Sequence, residues 1–335
     1  MILRECSSVW RKPTVMHKCC GCSRLLRNDD MKQETQSQKQ RIVAALGVFD
    51  GVHLGHRRVL AQAVSLGQCH VVTFAVETMP GKQGRTLRYL YDNKQRKHLL
   101  LQCGVQAVYP LSFSEIHTLD GDAFCTRILK ERLHVDTVVC GEDFRFGKHA
   151  ACNTDDLVRL GQRHGFQVEL VPRICDTDGS PISSAKIRFL LESGQIGAVN
   201  RLLGNDYRII KRVETGNRIG RTMGFPTANQ SFEPWQCVPC FGVYASVAEI
   251  NDVCVPAITN IGTRPTVTGG SMPIAETHLL DWSGELVGKR LTVTLQRFMR
   301  PESRFPSVDA LSAQIQEDIK HRRAMLPESD TEYFD

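Results

Sequence analysis

Between Arg41 and Pro172 short apolar runs alternate with segments of helical period. The runs Ile42–Leu46, His70–Phe74, Val105–Tyr109, Thr137–Cys140 and Gln167–Val171 predict strands. The stretches Arg57–Leu66, Asn93–Cys103, Ala123–Leu133 and Thr154–His164 predict helices. In the first helix Val59, Leu60, Ala63 and Val64 fall on one buried face. Gly104 and Gly165 stand where helices end in glycine. This alternation predicts an α/β domain on a doubly wound, mostly parallel sheet, with its ligands beyond the strand C-terminal ends.

After Tyr207 the texture changes. Short runs at Arg208–Val213, Gly242–Val247, Cys254–Ile258, Glu276–Leu280 and Arg290–Phe298 are separated by turn residues. They predict a small antiparallel β-barrel. A helix over Val308–Arg323 follows Pro306-Ser307, with Leu311, Ile315 and Ile319 near one face. Leu202-Leu203-Gly204 closes a short helical segment, so the expected domains are 41–200 and 205–325, with a tail at 326–335. Residues 1–40 show neither period and read as a disordered extension, or as sequence upstream of a true start at Met31. Cys19-Cys20-Gly21-Cys22 is an isolated CxxC, and no second pair is spaced to complete a zinc site.

A chain of 335 residues suits two domains, and 41% hydrophobic with 23% charged residues is ordinary for a globular protein. The net charge of +6 fits an anionic small molecule as well as nucleic acid. No recognition-helix pattern, aromatic RNA-binding signature or dense basic stripe supports nucleic acid. No run of about 18 apolar residues predicts a membrane helix, and Trp10-Arg11-Lys12-Pro13 breaks any signal-peptide core. The 13 cysteines are odd in number and scattered, which predicts reduced thiols in a cytoplasmic protein.

The candidate chemistry lies in four stretches. Gly47-Val48-Phe49-Asp50-Gly51-Val52-His53-Leu54-Gly55-His56 joins the first strand to the first helix. Its glycines permit close backbone approach, the helix start offers unpaired N–H groups, and two histidines stand beside them. With no Gly-Lys-Ser/Thr to form a Walker loop, the arrangement suits a triphosphate attacked at its α-phosphorus. Gly141-Glu142-Asp143-Phe144-Arg145-Phe146-Gly147-Lys148 follows the fourth strand and faces the same cleft. There Asp143 would fix a ribose, adenine or flavin polar group and Arg145 or Lys148 would face phosphate, unless the stretch is a surface turn packing its phenylalanines.

Ser183-Ser184-Ala185-Lys186-Ile187-Arg188 opens a helix. Its N–H groups with Lys186 and Arg188 form a second phosphate clamp, or simply a capped helix with solvated bases. In the barrel, residues 216–229 carry Gly216, Gly220 and Gly224, then Pro226-Thr227-Ala228-Asn229. Thr227 and Asn229 are two apart, so on an extended segment their oxygens share a side and suit Mg²⁺ beside phosphates. Glu276 begins an apolar, β-branched strand, where a carboxylate needs a reason.

Taken together these stretches resemble the bacterial bifunctional riboflavin kinase/FMN adenylyltransferase (FAD synthetase) family. The resemblance rests on GVFDGVHLGH (47–56), GEDFRFG (141–147), SSAKIR (183–188), GRTMGFPTAN (220–229), NIGTRPT (260–266), ETHLLDWSGELVGKRL (276–291) and RPESRFPSVDAL (300–311). It runs from about Arg41 to Arg323. It implies a riboflavin kinase barrel that makes FMN from riboflavin and ATP, with Glu276 as base and Thr227 and Asn229 on Mg²⁺. It also implies an N-terminal domain in which the FMN phosphate attacks a second ATP, giving FAD and pyrophosphate. His53 and His56 would there stabilise developing charge. By the same resemblance Gly47, Phe49, Asp50, Gly51, Gly55, Asp143, Ser183, Ser184, Arg188, Gly216, Gly220, Arg221, Gly224, Pro226 and Arg300 would bind nucleotide or flavin.

The chain departs from the pattern at Val48 in place of Asn, Ala185 in place of Thr, Cys152-Asn153 in place of Gly-Asp, and Lys211 in place of Gly. Glu77-Thr78-Met79-Pro80 lacks the expected histidine. A lost neutral hydroxyl costs on the order of 1 kcal/mol, about tenfold in rate, so a slowed adenylyltransferase half is the alternative to a fully active one. The expected partners are ATP, riboflavin and FMN, without nucleic acid or membrane.

Overall fold

Small side chains at the centre of the first sheet set its geometry. In β1 (Ile42–Leu46), Val43, Ala44 and Ala45 are fully buried, and the two alanines let layers close on both faces. The computed structural model describes residues 41–75, 88–216, 220, 223–265 and 271–325. The Cys19–Cys22 pair, Glu77–Pro80 and Arg221 lie outside them. β1 pairs in parallel with β2 (Gln68–Phe74) and β4 (Thr137–Gly141). Adding β3 (Ala107–Leu111) and β5 (Gln167–Val171) gives the order β3-β2-β1-β4-β5. The winding reverses between β1 and β4, so the loops leaving these neighbours diverge and open a crevice.

The period of two along the strands divides the core. Ala44, Leu46, Val72 and Val138 pack with Leu129 and Leu157, while Val43, Ala45, Val71 and Val139 pack with Leu60, Ala63 and Leu100. The expected elements are present with shifted ends. The first helix starts at Leu54, three residues early, because His53 caps it. The third strand begins at Ala107, since Val105 belongs to the turn before it. The region expected as Ala123–Leu133 is a short Gly121–Ala123 turn capped by Asp120, running into the π-wound Phe124–Arg132.

The second sheet is antiparallel throughout. Its strands are β6 (Tyr207–Arg212), β7 (Ala228–Ser231), β8 (Gly242–Ile250), β9 (Val253–Pro265), β10 (Ser271–Leu279) and β11 (Arg290–Pro301), ordered β6-β11-β8-β9-β10-β7. The Glu214 N–H donates to the Asn229 carbonyl at 2.8 Å and nearly closes the sheet into a barrel. β7 escaped the hydrophobic pattern because it reads Ala-Asn-Gln-Ser. Gln230 is nevertheless fully buried, since its Nε2 donates to the carbonyls of Lys211 (3.0 Å) and Leu291 (2.9 Å).

Two helices, Ser184–Glu192 and Ile196–Leu203, precede the sequence boundary at Gly204 yet share the barrel's core. Ile187, Leu191, Val199 and Leu203 cluster with Tyr207, Ile209, Val293 and Leu295. Asn200 fixes the join, donating to the Leu295 carbonyl at 3.0 Å and accepting from the Tyr207 N–H at 2.8 Å. The C-terminal helix Val308–Ala324, capped by Ser307, buries Asp318 and Arg322 most deeply, while Leu311 and Ile315 line a cavity.

Candidate active sites

The turn after β1 is held in a conformation most residues avoid. Phe49 and Val52 have φ of 52° and 44°, and Gly51 has φ 83°. A Cβ on Gly51 would lie 2.6 Å from Leu90 Cδ1, so glycine is required there. The His53 side chain then caps the helix, its Nδ1 accepting from the His56 N–H at 3.3 Å. That acceptor role puts the proton of neutral His53 on Nε2. A Cβ on Gly55 would lie 3.1 Å from His53 Cε1, so Gly55 makes the seat for this ring.

The two imidazoles stack at 3.6 Å with a 17° tilt. Burial lowers the His53 pKa to about 4, and burial, then His53 and Arg96, hold His56 well below its ordinary value. Both rings are therefore neutral at pH 7, so each carries one N–H donor rather than a cationic charge. Below the unfolded value of 6.5 the unfolded chain binds more protons at these sites. The contribution is thus full above pH 6.5 and is lost as pH falls from 6.5 towards about 4. For His53 alone this is on the order of 3 kcal/mol. Urea midpoints measured from pH 7 to pH 4.5 should fall less steeply for His53→Gln than for the parent chain; equal slopes would contradict a neutral, buried His53.

Asp50 ties the turn to the Ser183–Arg188 segment. It is 2% exposed, and its carboxylate accepts from the Leu90 N–H (2.9 Å) and from Arg188 Nη1 (2.7 Å). Burial raises its pKa, opposed by the Arg188 charge. The Ser184 hydroxyl donates to the Asp50 carbonyl at 2.9 Å. Losing the carboxylate would strand a half-buried guanidinium and an amide, the costly way to break such a pair. Ser183 caps its helix by accepting from the Lys186 N–H at 3.2 Å. Lys186 Nζ is already engaged by Asp176 and Asp178, each at 2.8 Å, and by Ser180 at 2.7 Å. Of the two bases expected to clamp phosphate, Lys186 thus holds the preceding loop and Arg188 braces Asp50.

Across the crevice, Phe146 is buried against Phe124 and stacked on Phe144 at 5.9 Å, while Asp143 stays exposed with Arg173 Nε 3.9 Å away. Asn153 caps the next helix, which explains why Asn serves as well as Asp there. Cys152 Sγ lies 2.5 Å from where a Gly121 Cβ would be, so the glycine makes room for the thiol. Sequence reasoning missed Arg96. It is 1% exposed, with Nη1 donating to the Val48 carbonyl at 2.7 Å and Nη2 to the Phe74 carbonyl and to Asn93 Oδ1. Its signal was a charge four residues before Leu100, on the helix's buried face.

In the barrel one transverse row gathers the expected groups. Glu276 on β10 pairs with Asn229 on β7 and with Asn260 on β9. Asn260 pairs with Val243 on β8, and Val243 with Arg300 on β11. Directly opposed residues share a face, so these side chains form one wall. Burial raises the Glu276 pKa, countered by the hydrogen bond from Asn260. A cavity of about 380 Å³ lies against Glu276, Asn260, Thr227, Phe305 and Leu311. A second, of about 510 Å³, lies against Gly216, Pro226, Thr227, Asn229 and Trp282. Thr227 is the wall common to both.

A Cβ on Gly216 would lie 2.4 Å from Asn229 Nδ2, and that Nδ2 donates to the Thr227 carbonyl at 3.2 Å. The amide is thereby oriented, and Asn229 and Thr227 line the same cavity, where neutral side-chain oxygens fit Mg²⁺ beside phosphates. Gly220 lines the smaller cavity. At Gly224, φ is 85° and no atom stands within 4 Å of a Cβ, so backbone conformation is what that position demands. Arg300 is committed to Asp318 through bonds of 2.7–3.1 Å and stands 5.8 Å from the Phe305 ring, fixing the C-terminal helix against the cavity.

Family models describing riboflavin kinase and FAD synthetase match residues 203–326 and 35–186. The bifunctional riboflavin kinase/FMN adenylyltransferase of Pseudomonas fluorescens is 35% identical over 301 residues, covering 86% of this chain and 94% of that protein. The protein of the same description from Escherichia coli K12 is 34% identical, covering 85% and 92%. A solved structure described as a macrolide-efflux protein from Streptococcus pneumoniae superposes with a TM-score of 0.75 at 26% identity, over 86% of this chain and 95% of that one. Both halves match in one order along one polypeptide, and the chain belongs to the bifunctional riboflavin kinase/FMN adenylyltransferase family.

Proposed function

We infer that this chain makes FAD in two ATP-dependent steps, phosphorylating riboflavin to FMN in the barrel and adenylylating FMN at the β1–β4 crevice. The observation that carries the reading is Glu276, a half-buried carboxylate registered between Asn229 and Asn260, lining a cavity that shares Thr227 with its neighbour. The flavin hydroxyl enters from the apolar cavity lined by Phe305 and Leu311, and the nucleotide from the cavity behind Gly216. Glu276 takes the hydroxyl proton as the new P–O bond forms and ADP leaves. Mg²⁺ on Thr227 and Asn229 would neutralise phosphate charge. In the second step the FMN phosphate is itself the nucleophile, so the protein supplies donors, chiefly the His53 and His56 N–H groups, and no covalent intermediate.

The departures at Val48, Ala185 and Cys152-Asn153 leave the described turn and helix starts in place. Val48 contributes its backbone carbonyl to the turn. Ala185 is exposed, so its missing hydroxyl strands no buried partner. Cys152 and Asn153 have the packing and capping roles described above. In this reading the partners are ATP, riboflavin and FMN. We place the enzyme in the cytoplasm, where the nine free cysteines of the described residues stay reduced. No helix of the described residues is long and apolar enough to cross a membrane. With ATP, Mg²⁺ and FMN as the only flavin, FAD and pyrophosphate are expected in equal amounts. Kinase activity on riboflavin with no FAD after extended incubation would reduce the chain to a riboflavin kinase.

A further inference from the structure

We infer that Arg96 is a positioning residue for adenylyl transfer, acting by turning the Val48–Phe49 peptide so that its N–H faces the crevice. The Val48 carbonyl accepts from Arg96 Nη1 at 2.7 Å and from the Thr73 hydroxyl at 3.0 Å. Thr73 lies on β2, and the Phe74 carbonyl at the end of that strand accepts from Arg96 Nη2. The guanidinium thus clamps the C-terminal ends of β1 and β2 together, with Asn93 Oδ1 steadying it at 2.7 Å. Both bonds draw the Val48 oxygen towards β2.

In a planar trans peptide the C=O and the following N–H point in opposite directions, and no peptide of the described residues is cis. Fixing the Val48 oxygen on the β2 side therefore sends the Phe49 N–H the other way. β1 stands between β2 and β4, so that direction is the β1–β4 crevice. Among the described residues no acceptor meets this N–H. Phe49 itself is 1% exposed with φ 52°, a conformation that needs external support. Without the clamp the peptide is free to flip and present an oxygen to the phosphates instead. Arg96 acts through this peptide and needs no contact with substrate. Thr73 is its partner, since a neutral hydroxyl completes the carbonyl's second bond.

The inference rests on the adenylyl-transfer reading and is tested by steady-state kinetics on the full chain, with its riboflavin kinase activity as internal control. Arg96→Met should lower kcat for FAD formation from FMN by about a hundredfold, the effect of losing one preorganised donor, with KM for ATP changed by less than about threefold. Thr73→Val, which removes one of two bonds to the same oxygen, should lower kcat by roughly three- to tenfold. FMN formation should be unchanged in both. Arg96→Met with parental kcat would overturn the inference, as would a loss confined to KM. Should Arg96→Met fail to fold, Thr73→Val decides: a kcat loss confined to FAD formation supports the clamp, and an unchanged kcat refutes it. A parent chain making no FAD from FMN would instead defeat the underlying reading.

Discussion

Glu276→Gln is expected to lower FMN formation at least a hundredfold while FAD formation from supplied FMN stays within about twofold of the parent. Glutamine keeps the shape, burial and cross-strand pairing with Asn229 and Asn260, so the barrel should be undisturbed. What it lacks is a proton acceptor of carboxylate strength in the cavity that shares Thr227 with its neighbour. General base catalysis contributes about 10²–10⁴ in rate, and nothing else on the row replaces it. Asn229 and Asn260 are amides, and Arg300 is bound to Asp318. Chromatographic separation of the flavins after incubation with riboflavin, or with FMN, reads both activities from one preparation. Kinase activity within tenfold of the parent would show that Glu276 is not the base. Loss of both activities in a folded protein would show that the two reactions do not have separate sites.

The sequence yielded what depends on period and on local turn chemistry. The five parallel strands were visible from short apolar runs, strongest in β1, β2 and β4, which are buried on both faces, and the Gly47–His56 turn because glycines and histidines there have no role in a plain βα connection. β7 was not visible, since its burial rests on Gln230 bonding to two backbone carbonyls rather than on apolar side chains. The place of the two helices before Gly204 was also hidden. An apolar stripe says that a helix packs, and not which of two cores it joins.

The basic residues of the Ser183–Arg188 segment were recognised as important, but their partners were not. Arg188 meets Asp50, 138 residues away, and Lys186 meets a loop whose acidic residues gave no periodic signal. Arg96 illustrates the same limit. Its exposure class is the reverse of its residue type's habit, and only the fold brings the carbonyl ends of β1 and β2 within its reach.

Replacing both His53 and His56 by alanine is expected to remove FAD formation by a factor of about 10³ or more, with FMN formation retained. On the proposed reading each neutral ring would offer one N–H donor to the α-phosphate as negative charge builds, and a preorganised donor is worth roughly 10²–10³. The stacking at 3.6 Å makes the pair interdependent, so the single changes should not add to the double. Alanine at 53 also removes the helix cap, at about 1 kcal/mol, and a loss of activity could then reflect a frayed helix start. His53→Asn separates the two effects. Its side-chain oxygen can still accept the His56 N–H, while its amide is too short to place a donor where Nε2 stood. The thermal midpoint of His53→Asn should therefore stay near the parent's while its FAD formation falls about a hundredfold. An asparagine variant with parental activity would assign His53 to capping alone and leave His56 as the donor that carries the chemistry.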